Sequence, residues 1–437
     1  MLYHAYEINH AAMAPWREAV GASKRILESP CNPASYTWLG KTMVAACDLF
    51  ESVTRRYGKP SWELYKTEVN NCEVQVHKRV IWQKPFCRLL HFQRDSQQMR
   101  KAYGGKNWAD PRVLLVSPLS GHYATLLRRT VDAFLPDHEV FVTDWTDARE
   151  VPVTKGKFDF NDYIDYVIEI FELLGPNCHV IGICQPGPPV LAAVASMSAD
   201  KNEFLPASMT FMGSPIDTRQ SPTLPNKVAL ERSYDWFRDN MIYSVPWPNK
   251  GFMRRVYPGF LQLSGFITMN QERHMMAHRK YFEHLVEGDC DSVQKHREFY
   301  DEYLAVLDLT EEFYLQTIKI VFQEHRLAKG TLEHRGQLVD PGAITDVALM
   351  TVEGEKDDIS GIGQTQAAHT LCKNIPDEKQ LDYVQPGVGH YGVFSGSRFR
   401  TEIQPRISQF IRGNFDVKLE TSFKSENPLL FFAAEEA

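Results

Sequence analysis

Hydrophobic and polar positions change rhythm several times along the chain. Apolar residues over 38–57 recur at helical spacing and stop at Gly58-Lys59-Pro60, which predicts a helix with its terminator inside a helical segment of about 70 residues. Val74, Val76, Val80, Ile81, Phe86, Leu89, Leu90 and Phe92 then predict two strands near a sheet edge over 73–92. From there short apolar runs alternate with amphipathic stretches. Strands are expected over 113–117, 139–143, 179–183 and 208–213. Helices are expected over 122–135, over 162–174 with Gly175-Pro176 as the stop, and over 188–198. Such alternation predicts an α/β fold with a mainly parallel sheet and helices on both faces.

The alternation breaks near Asp217 and resumes near Asp346. Between them lie many aromatics, among them Trp236, Phe237, Tyr243, Trp247, Phe252, Tyr257, Phe260 and Phe266, and long helical patterns including 300–325. Beyond the break come a strand over 346–352, a helix over 362–372, a strand over 380–384 and a helix over 398–412. An insertion between two sheet strands is most simply a cap over the strand ends. The expected organisation is therefore a helical segment 1–70, a first core part 71–218, a cap 219–345, a second core part 346–415 and a tail 416–437. The tail includes Pro428-Leu-Leu-Phe-Phe-Ala-Ala, to which the pattern assigns no role. No internal repeat or low-complexity tract interrupts the chain.

Composition narrows the classes. Hydrophobic content of 43% and charged content of 24% suit a soluble globular protein large enough for a core plus an insertion. A net charge of -7 argues against a broad nucleic-acid or anionic-lipid surface. The first twenty residues lack a basic stretch followed by an apolar one, and no run approaches the ~18 apolar residues needed to span a bilayer. The eight cysteines show no paired spacing, so they are expected as reduced thiols in a cytoplasmic protein.

One stretch carries the chemistry. Residues 178–193 climb through an apolar run to Gly182-Ile183-Cys184-Gln185-Pro186 and on into a helical pattern. This has the form of a nucleophile elbow, a sharp strand-to-helix turn that presents one reactive atom, with cysteine in place of serine. A helix N-terminus favours the thiolate, and Gly182 spares the turn a Cβ clash. Pro186 stands where such boxes usually have glycine, at a place where a missing N–H is harmless. The plain alternative is a buried cysteine at a strand end.

Two further signals follow in order. Val352-Glu353-Gly354-Glu355-Lys356-Asp357 is a strand leading to a turn with an acid. Gly387-Val388-Gly389-His390-Tyr391-Gly392 is a Gly-rich turn with one histidine. Nucleophile, acid, histidine is the order of the α/β-hydrolases. His390 would take the Cys184 proton, and Asp357 would fix its tautomer. Asp358 and, more weakly, Asp217 are rival acids. The backbone N–H of Gln185 and that of Leu119 or Ser120, in the first strand-to-helix turn, are the candidate oxyanion donors. Ser120 could also cap the following helix. His274 and His278 lie four apart without the glutamate of H-E-x-x-H, so a surface helix face is expected there and not zinc. Gly104-Gly105 and Gly361-x-Gly363 form turns, not phosphate loops.

With these residues in view the chain resembles the intracellular polyhydroxyalkanoate depolymerases that act on native polyhydroxybutyrate. The resemblance runs from Met-Leu-Tyr-His-Ala-Tyr-Glu to Gly-Val-Gly-His-Tyr-Gly-Val-Phe-Ser-Gly and is most specific at Gly-Ile-Cys-Gln-Pro and Val-Glu-Gly-Glu-Lys-Asp-Asp-Ile. It implies an α/β-hydrolase fold with a Cys184, Asp357, His390 triad. It also implies hydrolysis of amorphous storage polyester to 3-hydroxybutyrate units at the surface of cytoplasmic granules. No cofactor or metal is implied, although some members use coenzyme A as acyl acceptor. The related polyhydroxyalkanoate synthases share the triad, but they carry glycine at the position of Pro186 and a longer N-terminal region. A non-catalytic granule protein on the same scaffold is the alternative from another class. Neither the residues nor the resemblance sets the oligomeric state.

Overall fold

The computed structural model describes residues 2–427 apart from 107 and 270. Nine strands form one sheet: β1 (Lys66–Val69), β2 (Cys72–Lys84), β3 (Cys87–Arg94), β4 (Arg112–Val116), β5 (Glu139–Trp145), β6 (His179–Ile183), β7 (Ser208–Met212), β8 (Ala348–Gly354) and β9 (Gln380–Gln385). Their order is β1-β2-β3-β5-β4-β6-β7-β8-β9. β1, β2 and β3 form an antiparallel meander, and β3 lies antiparallel to β5. The remainder is parallel. The exchange of β4 and β5 in an otherwise sequential order, with one antiparallel strand beside it, is the architecture of the α/β-hydrolases.

The burial patterns explain the split. Every residue of β4, β5, β6, β7 and β8 is buried, because helices cover both faces of a parallel sheet. Alternate residues of β4 serve different cores. Leu114 and Val116 join Phe171 and Leu191 on one face, while Val113 and Leu115 join Ile181 and Ile407 on the other. Much of β2 alternates exposed and buried side chains, as an outer antiparallel strand does. The helix Phe160–Leu174 begins with a reciprocal capping box between Asp159 and Asp162 and buries eight side chains.

The structure departs from the periodicity where a side chain overrides it. β1 was not expected. It pairs with β2 across Asn70 and Asn71, both at positive φ, and two such residues make the tight hairpin turn that suits twisted strands. The helix expected over 122–135 is a 3-10 turn, Ala124–Leu127, followed by Arg128–Phe134. The helix expected over 300–325 is broken. Cys290–Tyr303 ends, Leu309–Thr310 pairs with Arg255–Tyr257, and Glu311–Thr317 continues into a π-turn over Ile318–Gln323. Buried Asp308 sits in the gap and accepts from Tyr3 Oη–H (2.6 Å) and Gly259 N–H (2.9 Å). Burial, reinforced by neighbouring Asp147, lifts its pKa to about 7. The helix expected over 362–372 shrinks to Ala367–Leu371. Buried Glu353 accepts from the amides of Gly363, Thr365 and Gln366 and holds that stretch as a turn.

The insertion leaves the sheet after β7 and returns at β8. The N-terminal helices Leu2–Ala12 and Trp38–Thr54 pack against it, and Ala14–Glu28 packs on Trp38–Thr54. Tyr3 reaches Asp308, and buried Asp48 accepts from Tyr281 Oη–H, Lys24 and Arg297 (2.8 Å). Burial works against the Asp48 carboxylate, but those three donors hold it below its ordinary range. His274 and His278 face inward, not outward as expected. His274 Nδ1 lies 2.8 Å from Tyr300 Oη, and His278 packs on Tyr300 and His296.

The tail docks through the helix Val417–Glu426. Glu420 is fully buried and accepts from Arg112 Nε–H (2.9 Å), itself fully buried at the start of β4. Pro428-Leu-Leu-Phe-Phe-Ala-Ala lies outside the described residues. Glu420→Ala strands the Arg112 guanidinium and is expected to cost about 3–5 kcal/mol of stability, read as a lowered unfolding midpoint. Lys424→Ala at the margin of the same pair should cost under about 1 kcal/mol.

Candidate active site

β6 stops at Ile183, and Cys184 adopts φ 66°. A non-glycine residue in this region costs about 1–3 kcal/mol and persists only where its surroundings enforce it. Cys184 N–H donates to Met212 O (2.8 Å) on β7, and Gly187 N–H donates to Cys184 O (3.2 Å). The helix Gly187–Ala199 starts three residues on, so Cys184 stands at its N-terminus. A Cβ on Gly182 would approach Phe211 to 3.2 Å, and one on Gly187 would lie 2.5 Å from Ser214 Cβ. The second close approach therefore falls at 187, and Pro186 is accommodated just outside the helix in the αR conformation.

Asp357 follows β8 and His390 opens a short helix after β9. His390 Nδ1–H donates to Asp357 Oδ2 at 2.8 Å, and the two side chains are 6% and 0% exposed. The other carboxylate oxygen, Oδ1, accepts from Ile359 N–H (2.9 Å) and Ser360 N–H (2.8 Å). Asp358 is exposed, and Asp217 is engaged by Arg219 Nε–H (2.8 Å). Burial disfavours a charged imidazole. The negative charges of Cys184 and Asp357, and hydrogen bonds to both, nevertheless hold His390 well above its ordinary range. The structure thus brings Cys184, Asp357 and His390 into one constellation.

Gly213, at the end of β7, is a site residue the sequence reading missed. Its φ is 54°, and a Cβ there would lie 3.2 Å from both Asp357 Oδ2 and His390 Cε1. Its signal was position: it ends a predicted strand next to the one that carries the elbow. Gly213→Ala is expected to lower kcat about 10–100-fold by displacing the imidazole, with KM little changed in steady-state kinetics.

The candidate oxyanion donors differ in availability. The backbone N–H of Gln185 and that of Ser120 have no acceptor among the described residues. The N–H of Leu119 is already taken, by Gln185 Oε1 at 3.1 Å. Ser120 caps no helix, because the next helical turn begins at Ala124.

Cys184 and His390 open onto a cavity of about 220 Å³. Among the described residues its wall has no Asp, Glu, Lys or Arg. Leu126, Phe394, Tyr391 and Ile359 come from the core, and Tyr257, Phe266, Phe313 and Phe322 from the insertion. Most aromatics named from the sequence serve elsewhere. Phe237 packs with Ile242 and Leu315, Phe260 stacks on Tyr6 at 4.1 Å, and Trp247 is 77% exposed. His122 also lines the cavity. Burial lowers its pKa to about 4 against the pull of the Tyr303 carbonyl, so it stands there neutral. Among the described residues no group of three His, Cys, Asp or Glu side chains could hold a metal, and no helix is long and apolar enough to cross a membrane.

Residues 213–415 match a family model described as the PHB de-polymerase C-terminus. No curated protein matches the sequence. Similar solved structures include a soluble variant of monoglyceride lipase from Saccharomyces cerevisiae, at 13% identity over 83% of this chain and 98% of that one, with a TM-score of 0.43. A meta-cleavage product hydrolase from Pseudomonas fluorescens shares 13% identity over 80% and 97%, with a TM-score of 0.41. A monoacylglycerol lipase from Paleococcus ferrophilus shares 12% over 70% and 97%, with a TM-score of 0.39.

Proposed function

We propose that this chain, whose residues 213–415 match the family model of the PHB de-polymerase C-terminus and which has an α/β-hydrolase fold, hydrolyses the ester bonds of native amorphous poly(3-hydroxybutyrate) in cytoplasmic storage granules. The observation that carries the reading is the Cys184–His390–Asp357 constellation at a cavity whose wall, among the described residues, has no Asp, Glu, Lys or Arg. A polyester chain has no charge to pair, and its ester groups ask only for hydrogen bonds at the reacting carbonyl.

In the proposed cycle His390 Nε2 takes the thiol proton, and Cys184 Sγ attacks the ester carbonyl carbon. The carbonyl oxygen takes the negative charge beside the Gln185 N–H. The tetrahedral species collapses by breaking the C–O ester bond. His390 returns its proton to the departing alkoxide, which leaves as a hydroxyl-ended chain. An acyl thioester remains on Cys184. Water, deprotonated by His390, attacks it, and 3-hydroxybutyrate units depart as acid while Cys184 regains its proton. Asp357 keeps the Nδ1 proton in place and stabilises the imidazolium in both halves. Coenzyme A thiol in place of water would release the acyl group as a thioester, and the chain needs no other cofactor.

Amorphous chains can be drawn into such a cavity, whereas a crystalline chain must first lose its lattice packing. The purified protein is expected to release 3-hydroxybutyrate from native granules far faster than from crystalline polymer. Product analysis with and without coenzyme A separates thiolysis from hydrolysis. Equal rates on the two polymer forms, or chain growth from 3-hydroxybutyryl-coenzyme A, would favour the synthase reading. Granule binding without any ester turnover would favour a non-catalytic granule protein.

A further inference from the structure

We propose that the side-chain amide of Gln185, and not the backbone N–H of Leu119, is the second donor to the oxyanion formed at Cys184. The proposal rests on Cys184 being the nucleophile and adds the group that completes its oxyanion site.

Three observations carry it. Gln185 follows the nucleophile, lines the same cavity and is 8% exposed. Its Oε1 accepts from Leu119 N–H at 3.1 Å. A backbone N–H needs an acceptor, so this bond fixes the carboxamide with its oxygen toward Leu119 and its NH2 on the other side. That NH2 is shielded from solvent and has no acceptor among the described residues. A buried amide nitrogen without a partner is rare in folded proteins, and where it stands unexplained it marks strain, catalysis or an unseen ligand atom. The wall around it is largely apolar, so the group suited to meet it is an acyl oxygen brought in by the substrate.

The same bond argues against Leu119. To serve the oxyanion, its N–H would have to leave Gln185 Oε1, and that would strand a second buried polar atom beside the first. With the bond kept, Leu119 instead polarises the carboxamide and strengthens Nε2–H as a donor. The oxyanion then receives one hydrogen bond from the Gln185 backbone and one from its side chain, both on the residue the elbow itself positions. No covalent bond to Gln185 forms or breaks in any step.

Gln185→Ala and the length-matched Gln185→Met both leave the backbone N–H in place, remove the amide and release Leu119 N–H. Hydrolysis of a soluble ester, p-nitrophenyl butyrate, is measured for both beside wild type and Cys184→Ala, with thermal melting to confirm folding. The expected result is a loss of kcat of about 10²–10³-fold in each folded Gln185 variant, with KM changed far less. A folded variant with kcat retained or raised overturns the proposal and returns the role to Leu119 or Ser120. If Gln185→Ala does not fold, Gln185→Met decides by the same criterion. Near-wild-type activity in Cys184→Ala removes the nucleophile itself. That outcome is distinct from an inactive Cys184→Ala beside a fully active Gln185 variant, which sinks only the present proposal.

Discussion

Replacing Cys184 with alanine is expected to lower ester hydrolysis on the order of 10⁵-fold while leaving the fold intact. Loss of a triad nucleophile leaves only substrate binding and oxyanion stabilisation. The variant should fold, because the φ of 66° at this position is imposed from outside. Cys184 N–H is held by Met212 O, and Gly187 closes the turn onto Cys184 O. Among the described residues Cys184 is also the only cysteine lining the cavity, whereas Cys87, Cys178 and Cys372 are buried and Cys31 and Cys290 lie exposed. Burial raises the pKa of Cys178 and of Cys372 to about 12, so neither supplies a thiolate near neutral pH. Initial rates on a soluble ester and on native granules test the expectation together. A residual rate within tenfold of wild type on either substrate would remove Cys184 from the chemistry.

The sheet was legible because burial on two faces writes itself as uninterrupted apolar runs. β4, β6, β7 and β8 each lie within a few residues of where the pattern placed them. The elements that moved are those where a single polar side chain outweighs periodicity. Asp308 breaks the pattern of 300–325 because three segments meet at its carboxylate, and Glu353 trims the helix at 367 by taking three amides. Neither long-range pairing has a local signature. The aromatic-rich insertion was legible only in part for a related reason. Composition shows how many rings it carries but not which way they face, and of the eight named ones Tyr257 and Phe266 reach the cavity. At the elbow the residue types were legible but not their division of labour. Helix–strand crowding sets the need for glycine at 187, and only contact with Ser214 reveals it. That Gln185 spends its side-chain oxygen on Leu119 is a contact across 66 residues, beyond any spacing rule.

Asp357→Asn should prove nearly as damaging as loss of the nucleophile, with a fall in kcat of about 10⁴-fold, while Asp358→Asn stays close to wild type. The difference follows from what each carboxylate touches. Asp357 Oδ1 accepts from the amides of Ile359 and Ser360, so in the asparagine variant the carbonyl oxygen remains on that side. The new NH2 must then face His390 Nδ1 from the place of Oδ2, 2.8 Å away. A donor there forces Nδ1 to accept, which moves the imidazole proton to Nε2. The nitrogen facing Cys184 then carries a hydrogen and cannot take the thiol proton. Loss of the Asp357 charge also removes one of the interactions that raise His390, so its charged form is less stable during turnover. The substitution is isosteric and keeps both amide bonds, so the unfolding midpoint should change little. Asp358 lies exposed on the same turn, and removing its charge leaves every one of these bonds in place. Steady-state rates of the two variants, with melting curves alongside, make the test. If the effects were exchanged, the acid partner of His390 would be Asp358, and the 2.8 Å contact to Asp357 would be structural alone.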